Sequence, residues 1–244
     1  MHQMNHADIG KRLQKLRVCK GEREVDISTV LEISPAHYCR LEKGKDKITV
    51  DVLQKACTYY DVAAEYILFG IKKKVGIVLE KIDGCSEEMI RSLLKIFSCL
   101  VFVGNRGKEI QNEAMYRVFM GGLLELIPVD AASAIPTVLE YEKNRRDVSE
   151  NMMIKELGIS RFIWTSIMHN EPIKNMEIPL TIQEQYGYSL DFLINNRIQD
   201  DLFLETQLLQ KPLERQREIM HIFDGIIRMQ EKNRAIEQGR YKLL

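Results

Sequence analysis

The 244-residue chain has no surplus of either charge, with 35 Lys and Arg against 35 Asp and Glu. A polyelectrolyte character for the whole chain is excluded, so any basic surface must be local. Five cysteines (19, 39, 57, 85 and 99) never fall as C-x-x-C, which argues against both a disulfide framework and a zinc site. Apolar runs are short: the longest, Cys99–Val103 behind Ile96 and Phe97, is far below the ~18 residues that span a bilayer. The first twenty residues carry Asp8, Lys11, Arg12, Lys15 and Arg17, so no signal-peptide core is expected and the expected location is the cytoplasm, away from membrane. No P-loop, G-x-S-x-G or H-E-x-x-H occurs, and the histidines at 2, 6, 37, 169 and 221 are scattered. Glu87-Glu88 and Glu140/Glu142 come with no acid–base partner. These absences predict a chain that is not an enzyme and holds no cofactor or metal.

Hydrophobic residues make up 45% and charged residues 29%, the balance of a globular chain. Proline is scarce at six residues, strand-type alternation is nearly absent, and helical periodicity dominates. Ile9, Leu13 and Leu16 share one helical face, as do Ile27, Val30 and Leu31. Ser34 is an N-cap with Pro35 at the first helical position, and the helix carrying Tyr38 and Leu41 stops at Gly44. Thr49 opens a further helix, and a short one over 63–69 closes at Gly70. Longer helices are predicted over 72–82, 86–103 and 109–126, with a loop at Gly104–Gly107.

Shifting the chain against itself by 126 residues aligns Ile33-Ser34 with Ile159-Ser160, Tyr60 with Tyr186 and Ile96-Phe97 with Ile222-Phe223. Identity is only slightly above chance. Hydrophobic class nevertheless holds without a gap (Tyr38/Trp164, Leu41/Ile167, Tyr66/Phe192, Leu93/Ile219), which points to a tandem duplication. The expected organisation is 1–70 as a first domain, 71–108 as a helical hairpin, 109–196 as a linker helix plus a second, degenerate copy, and 197–244 as a closing helical hairpin.

Glu24–Gly44 reads as two helices of about eight or nine residues joined by a tight Glu32-Ile33-Ser34 turn, inside a five-helix unit. Ile9–Arg17, Ile27-Ser28 through Leu31–Ser34, Tyr38–Lys45, Tyr59–Val62 and Tyr66–Gly70 fall in a characteristic order. Over residues 7–70 the chain resembles the lambda-repressor-like Xre/Cro/CI family of helix-turn-helix transcriptional regulators. The resemblance implies an all-α, five-helix DNA-binding domain. It places Pro35, Ala36, His37 and Arg40 on the groove-facing side of the recognition helix, where Arg40 meets guanine and Ala36 a thymine methyl. Lys43, Lys45 and Lys47, with Ser34 at the helix start and Arg23 before the second helix, are implied to meet phosphates. Arg17 and Glu42 match the family's internal ion pair. Glu24 departs from the pattern, standing where the family commonly has a phosphate-contacting Gln, and predicts moderate affinity.

The second copy is less basic. Residues 9–70 hold eleven Lys and Arg against nine Asp and Glu, whereas 135–196 hold six against nine. Its counterpart of the recognition helix, Arg161–Met168, is largely apolar, and Met168 replaces the ion-pair Glu, leaving Lys143 without that partner. The expectation is a copy reused for dimerisation or for a protein or small-ligand partner. Helices 86–103 and 212–230 are more apolar than one buried stripe requires, so Leu93, Phe97, Leu100, Ile219, Phe223 and Ile226 are predicted to form a homodimer surface. The function expected is sequence-specific binding of double-stranded DNA by a homodimer, most commonly as a repressor. Two alternatives stand beside it. One is a protein-binding, antitoxin-like module with the helix-turn-helix as scaffold. The other is a ligand-responsive regulator with a pocket near Phe162, Trp164 and Tyr188.

Overall fold

The computed structural model describes residues 4–71, 76–82, 84–102, 113–197 and 201–237. They are all-helical, with no strand among the described residues. The chain separates into two compact units, each built from two chain segments. The first comprises Met1–Lys73 with Leu126–Gln199, and the second Lys74–Glu125 with Asp200–Leu244. The chain leaves the first unit after Lys73, returns to it at Leu126 and leaves it again after Gln199. The loop expected at 104–107 and the Lys72–Lys74 run lie outside the described residues.

In the first unit, α1 (His6–Cys19), α2 (Glu24–Val30), α3 (Pro35–Glu42), α4 (Val50–Tyr60) and α5 (Ala64–Phe69) form one five-helix stretch. Helix α1 starts earlier than the periodicity suggested, because the Asn5 side chain accepts from the Ala7 and Asp8 N–H groups. Its Ile9 and Leu13 are buried, as are Ile27, Leu31, Tyr38, Leu41 and Leu53, and α1 packs on α3 and α5. Thr49 opens α4 without capping through its hydroxyl, which donates to Asp51 instead.

The second unit holds α6 (Ile77–Ile82), α7 (Glu87–Phe102) and α8 (Glu113–Phe119), with α9 (Leu123–Leu126) at its edge. The single helix expected over 109–126 is interrupted at Gly121-Gly122, where Gly122 has φ 73°. Residues 126–199 of the first unit contain α10 (Ile135–Arg146), α11 (Glu150–Leu157), α12 (Arg161–Met168), α13 (Glu177–Tyr186) and α14 (Leu190–Asn195), and the second unit closes with α15 (Asp201–Leu209) and α16 (Leu213–Glu237). Helix α7 packs on α15 and α16. Phe97 meets Phe223 with ring centroids 4.8 Å apart, Phe102 meets Phe203 at 5.9 Å, and Lys81 binds Asp224 at 2.7 Å.

That packing corrects the predicted homodimer surface. Leu93, Phe97, Ile219 and Phe223 are buried within the chain's own second unit, and Leu100 and Ile226 are half-buried. The apolar width of α7 is used by its packing on α15 and α16, whereas α16 keeps Leu213, Ile222 and Met229 exposed.

Left-handed backbone positions in the first unit recur at constant spacing. Gly21 and Asp147, Glu32 and Gly158, Gly44 and Asn170, Asp61 and Gly187, and Gly70 and Asn196 all have positive φ, and each pair is 126 residues apart. A non-glycine residue pays for this conformation, so five coincident positions are a stringent geometric match between α1–α5 and α10–α14.

The two stretches meet through α5 and α14. Glu65 Oε1 accepts from the Leu190 and Asp191 N–H groups at 2.6 and 3.2 Å, at the start of α14. Asp191 Oδ1 accepts from Ala64 N–H at 3.1 Å, at the start of α5. Each helix thus receives a carboxylate from the other at its positive end. Burial raises the Glu65 carboxyl above the ordinary carboxylate range, against the pull of these N–H donors.

Candidate nucleic-acid interface

Helices α2 and α3 are joined by Leu31–Ser34, and the turn depends on Glu32 at φ 57°. A left-handed residue other than glycine costs roughly 1–2 kcal/mol. Lys55 Nζ holds the Glu32 carboxylate at 2.6 Å. Ser34 then caps α3, its Oγ accepting from His37 N–H at 3.2 Å, which leaves the hydroxyl proton available to donate outward.

Two close approaches fix α3 against α1. A Cβ on Gly10 would lie 2.3 Å from Glu42 O and 2.4 Å from Leu41 O, so α1 touches the end of α3 backbone to backbone. After α3, Gly44 at φ 64° passes α1 so closely that a Cβ would lie 2.6 Å from Ala7 Cα. A fork-to-fork ion pair reinforces the contact: Arg17 Nε and Nη2 donate to the two Glu42 carboxylate oxygens at 2.7 and 3.0 Å. The side chains are only 13% and 4% exposed. The hydrogen bond to Glu42 raises the Arg17 pKa further above its already high value. Arg17 Nη1 also donates to Glu22 O at 2.8 Å.

The expected DNA-contacting residues come together on the face of α3 turned away from this support. Ser34, Pro35, Ala36 and Arg40 are exposed, and His37 is half-buried. Lys43, Lys45 and Lys47 are exposed in the turn that follows. Arg23 is exposed before α2 but forked onto Asp26 at 2.9 and 3.0 Å, which offsets its charge locally. Asp46, a residue the sequence reading missed, accepts from Arg40 Nε at 2.8 Å and lies 3.6 Å from His37 Nε2. Its position two residues past Gly44, where the chain doubles back toward α3, was the available signal.

The matching α11–α12 pair carries different chemistry. Gly158 makes the turn, and Ser160 caps Ile163 N–H at 3.3 Å. Phe162, 126 residues after Ala36, is 79% exposed, while Trp164 on the other face of α12 is 2% exposed. Arg161 donates to Asn151 at 2.5 Å and lies 3.8 Å from Glu150. Pro136 stands where the first stretch has Gly10. Lys143 takes Glu140 at 2.7 Å in place of the missing partner. Tyr188 is fully buried, its hydroxyl donating to the buried Glu142 at 2.6 Å. The pocket expected around Phe162, Trp164 and Tyr188 is therefore corrected: two of the three are core, and the third projects to solvent.

No protein-family model, curated protein or solved structure matches the chain. The case for the interface thus rests on its geometry. A capped helix carries an arginine on its exposed face, lysines follow it, and a buried ion pair and two glycine contacts hold it from behind. Such an arrangement can offer a planar donor fork to a base edge and ammonium groups to phosphates.

Proposed function

We propose that the chain is a sequence-specific, double-stranded-DNA-binding transcriptional regulator built from two tandem copies of a lambda-repressor-like helix-turn-helix domain, the second degenerate. The single observation that carries the reading is the exposed face of α3, with Ser34, Ala36 and Arg40 followed by Lys43, Lys45 and Lys47, buttressed by Arg17–Glu42. The duplication is supported by the five left-handed positions that recur 126 residues apart.

In the unbound chain Arg40 Nε is held by Asp46 at 2.8 Å, which orients the guanidinium and leaves its terminal N–H groups to meet the O6/N7 edge of guanine. A guanidinium fixed in this way is aimed at one base edge, which favours discrimination, while the Asp46 carboxylate opposes the phosphate charge and lowers affinity for every duplex. The net charge of the first copy is small, and counterion release therefore comes from the few lysines after α3.

Selection from a random duplex library at low salt tests this function. A defined motif is expected. Arg40→Ala should relax one position of it, and Lys45→Ala should weaken all sequences alike and flatten the salt slope by about one unit. No enrichment at low salt would refute DNA binding and leave the α2–α3 pair as a scaffold for a protein partner.

A further inference from the structure

Resting on the DNA-binding reading, we propose that one chain alone presents both halves of the DNA surface, with α3 reading one half-site and α12 seated on an adjacent, unlike half-site.

The two stretches of the first unit join where α5 packs on α14. Glu65 and Asp191 are 126 residues apart, as are Ala64 and Leu190. Glu65 binds the start of α14, and Asp191 binds the start of α5. Residue i of one stretch meets residue j of the other, and the counterpart of j meets the counterpart of i. That reciprocity defines an isologous, two-fold contact, the kind that joins identical subunits in a symmetric dimer.

The clefts flanking the junction repeat the symmetry. One, of about 680 Å³, is lined by Met4, His6, Glu177, Leu180 and Thr181. The other, of about 420 Å³, is lined by Asp51, Gln54, Lys55 and Ala132. Asp51, Gln54 and Lys55 are the 126-residue counterparts of Glu177, Leu180 and Thr181, and His6 is the counterpart of Ala132. The side chains differ where the symmetry breaks: Gln54 donates to the Ala132 and Ile194 carbonyls, and leucine stands at the matching position.

A two-fold contact through α5 and α14 relates α3 to α12. Two-fold helix-turn-helix assemblies place such helices about one helical turn of DNA apart, which is the arrangement proposed for α3 and α12. The contact is formed within one chain, so no second chain is needed to supply the second helix. The face of α5 that makes this contact is covered by α14 of the same chain.

The two halves cannot read alike. On α12 the place of Ala36 is taken by the exposed Phe162, and Arg161 is held by Asn151 and Glu150. A phenyl ring in the major groove packs on thymine methyl groups and ranks bases weakly. The ligand is thus a non-palindromic duplex, with a strict half under α3 and a relaxed, thymine-favouring half under α12.

The test uses the full chain on its selected DNA. Full-length protein and a larger tagged version are mixed, and complexes are resolved by native gel and native mass spectrometry. One chain per duplex with no hybrid band is expected, together with a hydroxyl-radical footprint over two patches on one side of the helix. Phe162→Asp should erase the patch beneath α12 and weaken binding about tenfold, with Trp164 fluorescence unchanged to show that the fold is intact. Two chains per duplex, or an unchanged footprint and affinity in Phe162→Asp, would overturn the inference while leaving DNA binding standing. No footprint from the wild-type chain would instead defeat the reading on which it rests.

Discussion

Removing one member of the Arg17–Glu42 pair leaves its partner charged in a site with little water. Glu42→Met strands a guanidinium that is 13% exposed and keeps only its bond to Glu22 O at 2.8 Å. Arg17→Met strands a carboxylate that is 4% exposed. Each single replacement should cost about 3–5 kcal/mol, the range for breaking a buried ion pair. The double replacement removes both charges and fills the space with apolar atoms, so it should lie within about 1 kcal/mol of wild type. The chain carries its own precedent, since Met168 stands at the position matching Glu42 and Lys143 turns to Glu140. Urea unfolding followed by Trp164 fluorescence suits the cycle: it is the chain's only tryptophan, is 2% exposed and lies in the same compact unit. A coupling of several kcal/mol is expected from the non-additivity. Single variants costing less than about 1 kcal/mol, or adding up to the double, would show that the pair is solvated and does not hold α3 in place.

Gly10→Ala gains about 1 kcal/mol of helix propensity but drives a methyl into the Leu41 and Glu42 carbonyls, so a net urea destabilisation of about 1–3 kcal/mol is expected; a neutral or stabilising result would mean α1 and α3 can part freely. Asp46→Asn removes the carboxylate that holds Arg40, and binding assays should show tighter association with all duplexes and less discrimination, whereas weaker binding would make Asp46 a positive determinant. The Glu156 carboxyl is held below its ordinary value by the hydrogen bond from Arg146. Its contribution is therefore full above the unfolded carboxylate pKa and is lost as pH falls through the lower folded one. The stability advantage of wild type over Glu156→Gln should be flat above pH about 5 and shrink below it, and a gap that widens on acidification would contradict the assignment.

Several of these features were legible in the sequence. The helices of α1–α5 follow from apolar spacing, Ser34 and the glycines at 44 and 70. The 126-residue alignment sets Lys143 and Met168 opposite Arg17 and Glu42, and in the structure Lys143 pairs with Glu140. Helices α7 and α16 were recognised as over-apolar, but apolar surplus says only that a surface will be covered. Whether the cover comes from the same chain depends on contacts between residues more than a hundred positions apart, as with Phe97 and Phe223. The Glu65–Asp191 exchange was hidden for a related reason. Its donors are backbone N–H groups, which leave no mark on composition. Asp46 was overlooked because a single acid among three lysines reads as a solvated turn until backbone geometry brings it to Arg40.

The discontinuity of the first unit has a consequence for the order of synthesis. Helix α5 emerges with its mate unmade, and α14 follows only after some 126 further residues, an interval of roughly 6–25 s at ribosomal speeds. During that time the nascent chain displays an α5 surface suited to an α14-like partner. On a crowded polysome the nearest such partner belongs to a neighbouring nascent chain. Slow translation across 74–125 therefore favours exchange of halves between molecules, and fast passage favours closure of each molecule on itself.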